Sequence, residues 1–190
     1  MVQFNDQSFR EIFSENKSLE KLHLGFRHCN GIADEGISNI VTSLASHPKL
    51  EDLQISTDDQ FGELSSKAIE TLLSKTQTLS TLVLLNCFSD NGGLNSDCIL
   101  QGLKKNQSLK TLTTCRSLYG DLTLSRFFQI LPLCPKLEYL RLYEKCITKS
   151  DLEQVIHMDR LQKPIKLQIH DDVIRDNVAV MIDLLRCHPE

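Results

Sequence analysis

Side chains that could bind a metal or act as nucleophiles occur in the chain, but none of them completes a known pattern. His23, His28 and Cys29 are close in sequence, yet a structural zinc site needs four ligands at ordered spacing and no fourth ligand follows. Residues 90–97 resemble a calcium loop only loosely, since the acidic third and fifth ligands and the final glutamate are missing. Cys115 has no recognisable base to activate it as a nucleophile. We therefore expect no metal site and no covalent catalysis.

The short motifs of common enzyme classes are also missing from the sequence. No phosphate-binding loop, GxSxG, HExxH or GxGxxG pattern occurs. We predict a protein that is not an enzyme and that needs no cofactor.

One segment instead carries residues suited to recognition of another protein. Tyr139, Arg141 and Tyr143 alternate with leucines, and only three tyrosines occur in the whole chain. Tyrosine and arginine are enriched among the residues that dominate the binding energy of protein interfaces. The chemistry of these side chains indicates protein binding. Their arrangement depends on the secondary-structure elements that carry them.

Charge and cysteine usage restrict the class of partner and the compartment. The formal net charge is −4, the pI is near 5.9, and the longest basic run is Lys104–Lys105, which argues against nucleic-acid binding. No stretch approaches the roughly 20 apolar residues of a membrane span, and the first residues do not form a secretory signal. The seven cysteines are irregularly spaced without a CxxC pair, which favours reduced thiols and a cytoplasmic location.

Most of the 31 leucines of the chain belong to a repeat. The spacing LxxLxL, or a degenerate copy of it, recurs with first positions at 19, 50, 79, 109, 137 and 164, in steps of 27 to 31 residues. The copy at 109 has Thr114 in place of its last leucine, and the final copy begins with Pro164. After the first copy, Ile37, Ile40 and Leu44 follow the spacing of one helix face. The unit is therefore a strand followed by a helix.

This unit resembles the leucine-rich repeat of the ribonuclease-inhibitor type, over about residues 4–189. The resemblance implies an α/β solenoid shaped like a horseshoe, with parallel strands on the concave face, helices on the convex face and about six repeats. It also implies a single domain, 1–190, in which residues 1–16 are an N-terminal partial repeat or capping helix and residues 17–189 are repeats. Sequons at Asn16 and Asn106 both precede a leucine at one repeat position, and we interpret them as turn residues rather than glycosylation sites.

The lengthened units differ from the others in the connection from strand to helix. The first expanded loop contains Arg27. Insertions gathered on one edge of a solenoid often form a binding edge, and neutral drift in exposed loops is the alternative.

Residues between the leucines of each strand are expected to project from the concave face. Two sets stand out there: Tyr139, Arg141 and Tyr143 form one, and Val83 with Leu85 adds an apolar patch. The tyrosines either bind a partner or simply pack against the neighbouring strands, and the sequence leaves both interpretations open.

The leading hypothesis is a non-enzymatic scaffold that binds a protein partner through the concave face and the strand-to-helix loops. Similar arrays include effectors that bacteria deliver into host cells, so a microbial effector is one version of this hypothesis. The alternative is an activator of a small GTPase, in which Arg27 contacts phosphate or switch residues. The partner's identity and the oligomeric state are not indicated by the sequence.

Overall fold

The computed structural model describes residues 11–13, 15–26, 34–57, 62–85, 95–115, 134, 136–143 and 166–170. Six five-residue strands form one parallel sheet in chain order: β1 (Lys21–Gly25), β2 (Asp52–Ser56), β3 (Thr81–Leu85), β4 (Thr111–Cys115), β5 (Tyr139–Tyr143) and β6 (Lys166–His170). Helices α1 (Asp34–Leu44), α2 (Glu63–Lys75) and α3 (Ser96–Lys105) follow β1, β2 and β3. The predicted α/β class with parallel strands is confirmed. The horseshoe shape, the count of about six repeats and the domain bounds stay predictions.

The register of the sheet aligns the repeated leucines. Leu53 pairs with Leu82, Leu82 with Leu112, and Leu112 with Leu140, so one row of leucines runs across the strands. All four are fully buried. Because alternate residues of a strand point to opposite sides, the residues between these leucines lie on the other side of the sheet. The spacing LxxLxL predicted this arrangement correctly.

The helices cover the leucine side of the sheet with their apolar faces. In α1 the buried residues include Ile37, Ile40 and Leu44, at the predicted helical spacing. Helix α2 packs against both α1 and α3. Buried residues of the strands and of all three helices form one hydrophobic core. The core thus fills the space between the helix layer and the sheet.

The first strand is less completely covered than the later ones. Leu22 and Leu24 of β1 are only partly buried, whereas the residues paired with them, Leu53 and Ile55, are fully buried. Strand β1 is the first in the sheet order, so among the described strands it has a neighbour on one side only. Each unit of a stacked array buries its apolar residues against its neighbours, which accounts for the difference.

The degenerate fourth strand contains a polar residue in the core. Thr114 takes the position of the last leucine, between Leu84 of β3 and Leu142 of β5, and is 1% exposed. Its hydroxyl has no hydrogen-bond partner within the described part of the chain. A buried, unpaired hydroxyl is unfavourable, so this position weakens the core.

Polar side chains close the turns from each helix to the next strand. Asn106 donates from Nδ2 to the carbonyl of Leu73 at 2.7 Å and accepts at Oδ1 from the backbone N–H of Leu109, also at 2.7 Å. At the equivalent position of the preceding turn, Thr76 accepts at Oγ1 from the N–H of Leu79 at 3.2 Å. These bonds satisfy backbone groups that would otherwise be buried without partners.

The same turn position is occupied by Asn106, which begins a glycosylation sequon, and by Cys134 in the next turn. Asn106 is buried with both ends of its amide bonded, which confirms that it is a turn residue. Cys134 occupies the corresponding place in the next turn, and its Sγ lies 3.6 Å from the carbonyl oxygen of Leu103. Burial raises the pKa of the Cys134 thiol to about 11, so it stays protonated at neutral pH.

A carboxylate links the start of one helix to the start of the next. Asp34, in the first turn of α1, accepts from the backbone N–H groups of Gly62 at 2.8 Å, Leu64 at 3.0 Å and Ser65 at 3.0 Å. The Ser65 hydroxyl also donates to Asp34. Gly62 precedes α2 and has no side chain to cap it, so Asp34 satisfies the first N–H groups of α2 from the neighbouring unit.

These hydrogen bonds also govern the ionisation of Asp34. Partial burial by itself raises the pKa of this carboxyl, but the hydrogen bonds from Ser65, Gly62 and Leu64 together outweigh that effect. The net result is a pKa below the ordinary value, so the ionised form is favoured in the folded protein.

Candidate protein-binding surface

The side of the sheet opposite the helices is called the sheet face here, and it consists of the first, third and fifth residue of each strand. The register places these residues in three rows that run across the sheet. The leucines that alternate with these residues are buried in the core and fix the register of the strands. A shift of one residue would turn every side chain to the other side. The core therefore fixes which residues belong to the sheet face.

Strand β3 supplies the apolar part of the sheet face. Val83 and Leu85 are half-buried, with Val83 beside Gln54 of β2 and Leu85 beside Ser56. Polar neighbours on β2 leave these two side chains as a small apolar patch on that side. The predicted placement of Val83 and Leu85 on the sheet face agrees with the register and with the burial pattern of β3.

Strand β5 supplies an aromatic and a cationic side chain. Tyr139 is half-buried and makes contacts within the protein, whereas Arg141 is exposed. Both belong to the sheet face, two residues apart on one strand, as predicted. The backbone of Tyr143 ends β5 and pairs with Cys115, but the Tyr143 side chain lies outside the described part of the structure.

The fourth strand connects the two patches. Thr113 of β4 pairs with Val83 on one side and with Arg141 on the other, so the three residues form one row. Neighbouring strands are about 4.8 Å apart, which places Val83 and Arg141 about 9.6 Å apart along this row. Thr113 is only 5% exposed despite lying on the sheet face, so it forms the floor between the two patches. The sequence did not single out Thr113, because its neighbours on β3 and β5 become known only from the strand register.

The remaining predicted residues and loops are not among the described residues. Arg27 lies outside them, and so does most of each lengthened strand-to-helix loop. The binding edge that those loops were predicted to form stays a prediction.

The described residues contain little that could carry out chemistry. No group of three or more His, Cys, Asp or Glu residues is placed to hold a metal ion in that part of the chain. Cys98 of α3 is a free thiol whose pKa is raised by partial burial and by Glu70. In the described ranges, no helix is both long enough and apolar enough to span a membrane.

Comparisons with known proteins give a structural neighbour but no family. The sequence matches no protein-family model and no curated protein. Among solved structures, the chain is similar to one titled "Leiomodin-1 Actin-Binding Site 2 (ABS2)", with 11% identity and a TM-score of 0.48. That match covers 98% of this chain and 91% of the other.

Proposed function

We propose that this protein is a binding scaffold of about six repeats, curved as a horseshoe, that holds a protein partner on its sheet face. The observation that carries the proposal is the row formed by Val83, Thr113 and Arg141, flanked by Leu85 and Tyr139. An apolar patch and an aromatic–cationic patch stand side by side on a platform whose positions the core fixes. The mechanism is surface complementarity rather than bond making.

The composition of the surface supports this proposal. Interfaces are enriched in tyrosine and arginine relative to the rest of a protein surface, and a few central residues dominate the binding energy. Tyr139 and Arg141 are residues of this kind. A continuous hydrophobic core holds the strands, so the backbone that carries these side chains loses little conformational entropy when a partner docks.

Partner capture combined with matched variants tests the proposal. Proteins retained by the immobilised chain are identified, produced in pure form, and titrated against wild type, Tyr139→Ala, Arg141→Ala and Lys104→Ala. Lys104 is exposed near the end of α3, in the helix layer, and serves as the control. Hot-spot truncation costs about 2 kcal/mol or more, so each sheet-face variant should weaken binding about thirtyfold.

The result that contradicts the proposal is equally specific. If Tyr139→Ala and Arg141→Ala bind the partner as tightly as wild type and Lys104→Ala do, the sheet face is not the binding site. Circular dichroism of each variant shows whether the fold is retained.

Two more specific versions of the function stay predictions. Activation of a small GTPase depends on Arg27 and the loop around it, and a hydrolysis assay with a panel of GTPases tests it. Wild-type protein that stimulates none of them contradicts this version. Action as a microbial effector inside a host cell depends on the source of the partner and is tested by the origin of the proteins that are captured.

A further inference from the structure

The charge of the sheet face differs from the charge of the whole chain. The chain carries a net charge of −4, yet Asp52 is the one carboxylate at a sheet-face position on the six described strands. Asp52 pairs with Lys21 of β1, so its charge has an opposite neighbour across the strands. The remaining charge among the side chains described on this face is the exposed cation of Arg141.

No acidic residue occupies a position next to Arg141 in the sheet. Its register neighbours are Thr113 of β4 and Gln168 of β6, and the sheet-face residues of its own strand are tyrosines. The nearest acidic residues along the chain are Glu138 and Glu144, each three positions from Arg141; Glu138 lies outside the sheet face, and Glu144 lies outside the described residues. The backbone N–H of Glu138 donates to the carbonyl of Lys110 at 2.8 Å.

An arginine in this setting suits a carboxylate from another molecule. The guanidinium group is always charged, and its planar arrangement of donors matches the two oxygens of a carboxylate. A second arginine or lysine on the partner would be repelled by it. Charge complementarity therefore selects an acidic rather than a basic segment.

A partner must also match the apolar patch of Val83 and Leu85, which lies at a known distance from Arg141. Val83 lies in the same row as Arg141, two strand spacings or about 9.6 Å away, and Leu85 lies beside it on β3. A helix rises 1.5 Å per residue, so residues seven positions apart are about 10.5 Å apart on one face. A single helical segment can meet both requirements at once.

We infer that the partner docks through a segment with two features: a carboxylate for Arg141, and an apolar side chain for Val83 and Leu85 about 10 Å away. This inference rests on the proposed function and specifies the chemistry of the partner. Acidic residues paired with apolar residues on one face of the docking segment are its signature.

A displayed library of random peptides tests the inference without knowledge of the natural partner. Wild-type protein is immobilised, and the peptides that it retains are sequenced and titrated. We expect enrichment of Asp and Glu together with an apolar residue. For these peptides, Arg141→Glu should lower affinity at least about tenfold, while Lys104→Glu leaves it unchanged. Replacing the peptide's acidic residue by lysine should restore binding to Arg141→Glu.

Three outcomes overturn the inference. The first is an enrichment of peptides without an excess of acidic residues, whose binding is lost in Val83→Ser but retained in Arg141→Glu. This result contradicts the inference and leaves the proposed function standing. Peptides that bind every sheet-face variant as they bind wild type contradict both. A selection that retains no peptide also contradicts the inference, because the two features would then be insufficient to hold such a segment.

Discussion

Replacement of Asp34 tests whether neighbouring units are joined by the carboxylate cap of α2. Asp34→Ala removes the acceptor of three backbone N–H groups, on Gly62, Leu64 and Ser65. Asp34 is only half-buried, so water can replace part of these bonds. Loss of an N-cap costs about 0.5–2 kcal/mol, and this cap joins two units, so we expect a loss of about 2 kcal/mol in the free energy of unfolding.

Matched variants separate the cap from other effects of the charge. Glu35 is the exposed neighbour of Asp34 in the first turn of α1, so Glu35→Gln removes a similar interaction with the helix dipole without touching the cap. We expect Glu35→Gln to change stability by less than about 0.5 kcal/mol. Asp34→Asn keeps one acceptor oxygen and should lie between Asp34→Ala and wild type.

The pH dependence follows from the lowered pKa of Asp34. A carboxyl whose pKa is lower in the folded state contributes stability that is fully present above its unfolded pKa, near 3.8. That contribution is lost as the pH falls through the folded pKa. The stability difference between wild type and Asp34→Asn should therefore be constant near neutral pH and should narrow below pH 3.8.

Urea unfolding, followed by circular dichroism at several pH values, measures these differences. Unfolding of Asp34→Ala at the wild-type urea concentration, or a destabilisation of Glu35→Gln as large as that of Asp34→Ala, would show that Asp34 does not cap α2. A difference between wild type and Asp34→Asn that stays constant to acidic pH would contradict the assigned pKa direction.

Three further predictions concern the core and the turns, each measured by thermal or urea unfolding. Thr114→Val removes the unpaired buried hydroxyl at nearly constant volume and should stabilise the protein by about 1 kcal/mol; a loss of stability would show that the hydroxyl has a partner. Gly102→Ala should destabilise the protein by about 1 kcal/mol, because the new Cβ would lie 2.8 Å from Cβ of Leu73 and the clash outweighs the helix propensity of alanine. Gln101→Ala, at an exposed position, is its control. A gain in stability for Gly102→Ala would contradict the close packing. Asn106→Ala should lower the free energy of unfolding by about 2 kcal/mol, because it leaves buried backbone groups unpaired. Asn16 is exposed at the equivalent turn position, so Asn16→Ala should lower it by under about 1 kcal/mol. Equal losses would refute the role of burial.

The strand register and the helix faces could be predicted from the sequence because each follows a local periodicity. Leu53, Leu82 and Leu112 mark the same position in successive units, and burial of one implies burial of the others. The helical spacing of Ile37, Ile40 and Leu44 likewise identified the face of α1 that packs on the sheet. The period of the hydrophobic residues and the positions of the turns are sufficient to predict a strand register and a helix face.

Contacts between units could not be predicted in this way. The bonds from Asp34 to Gly62 and Ser65 join residues about 30 positions apart, and no repeat spacing distinguishes Asp34 from any other acid at a helix start. Thr113 is buried on the sheet face, and the repeat spacing does not indicate which residues of β3 and β5 lie beside it. For the candidate site, the sequence placed Val83, Leu85, Tyr139 and Arg141 on one face, but the charge of that face became clear only when the rows of the sheet were known.

Hydroxyl-radical footprinting with a purified partner tests the central claim most directly, because it reports the exposure of named side chains. Tyr139 on the sheet face is half-buried in the free protein, and Leu64 on α2 is 48% exposed. We expect the oxidation of Tyr139 to fall when the partner is bound, while the oxidation of Leu64 is unchanged. Unchanged oxidation of Tyr139 together with protection of Leu64 would place the partner on the helix layer and contradict binding at the sheet face.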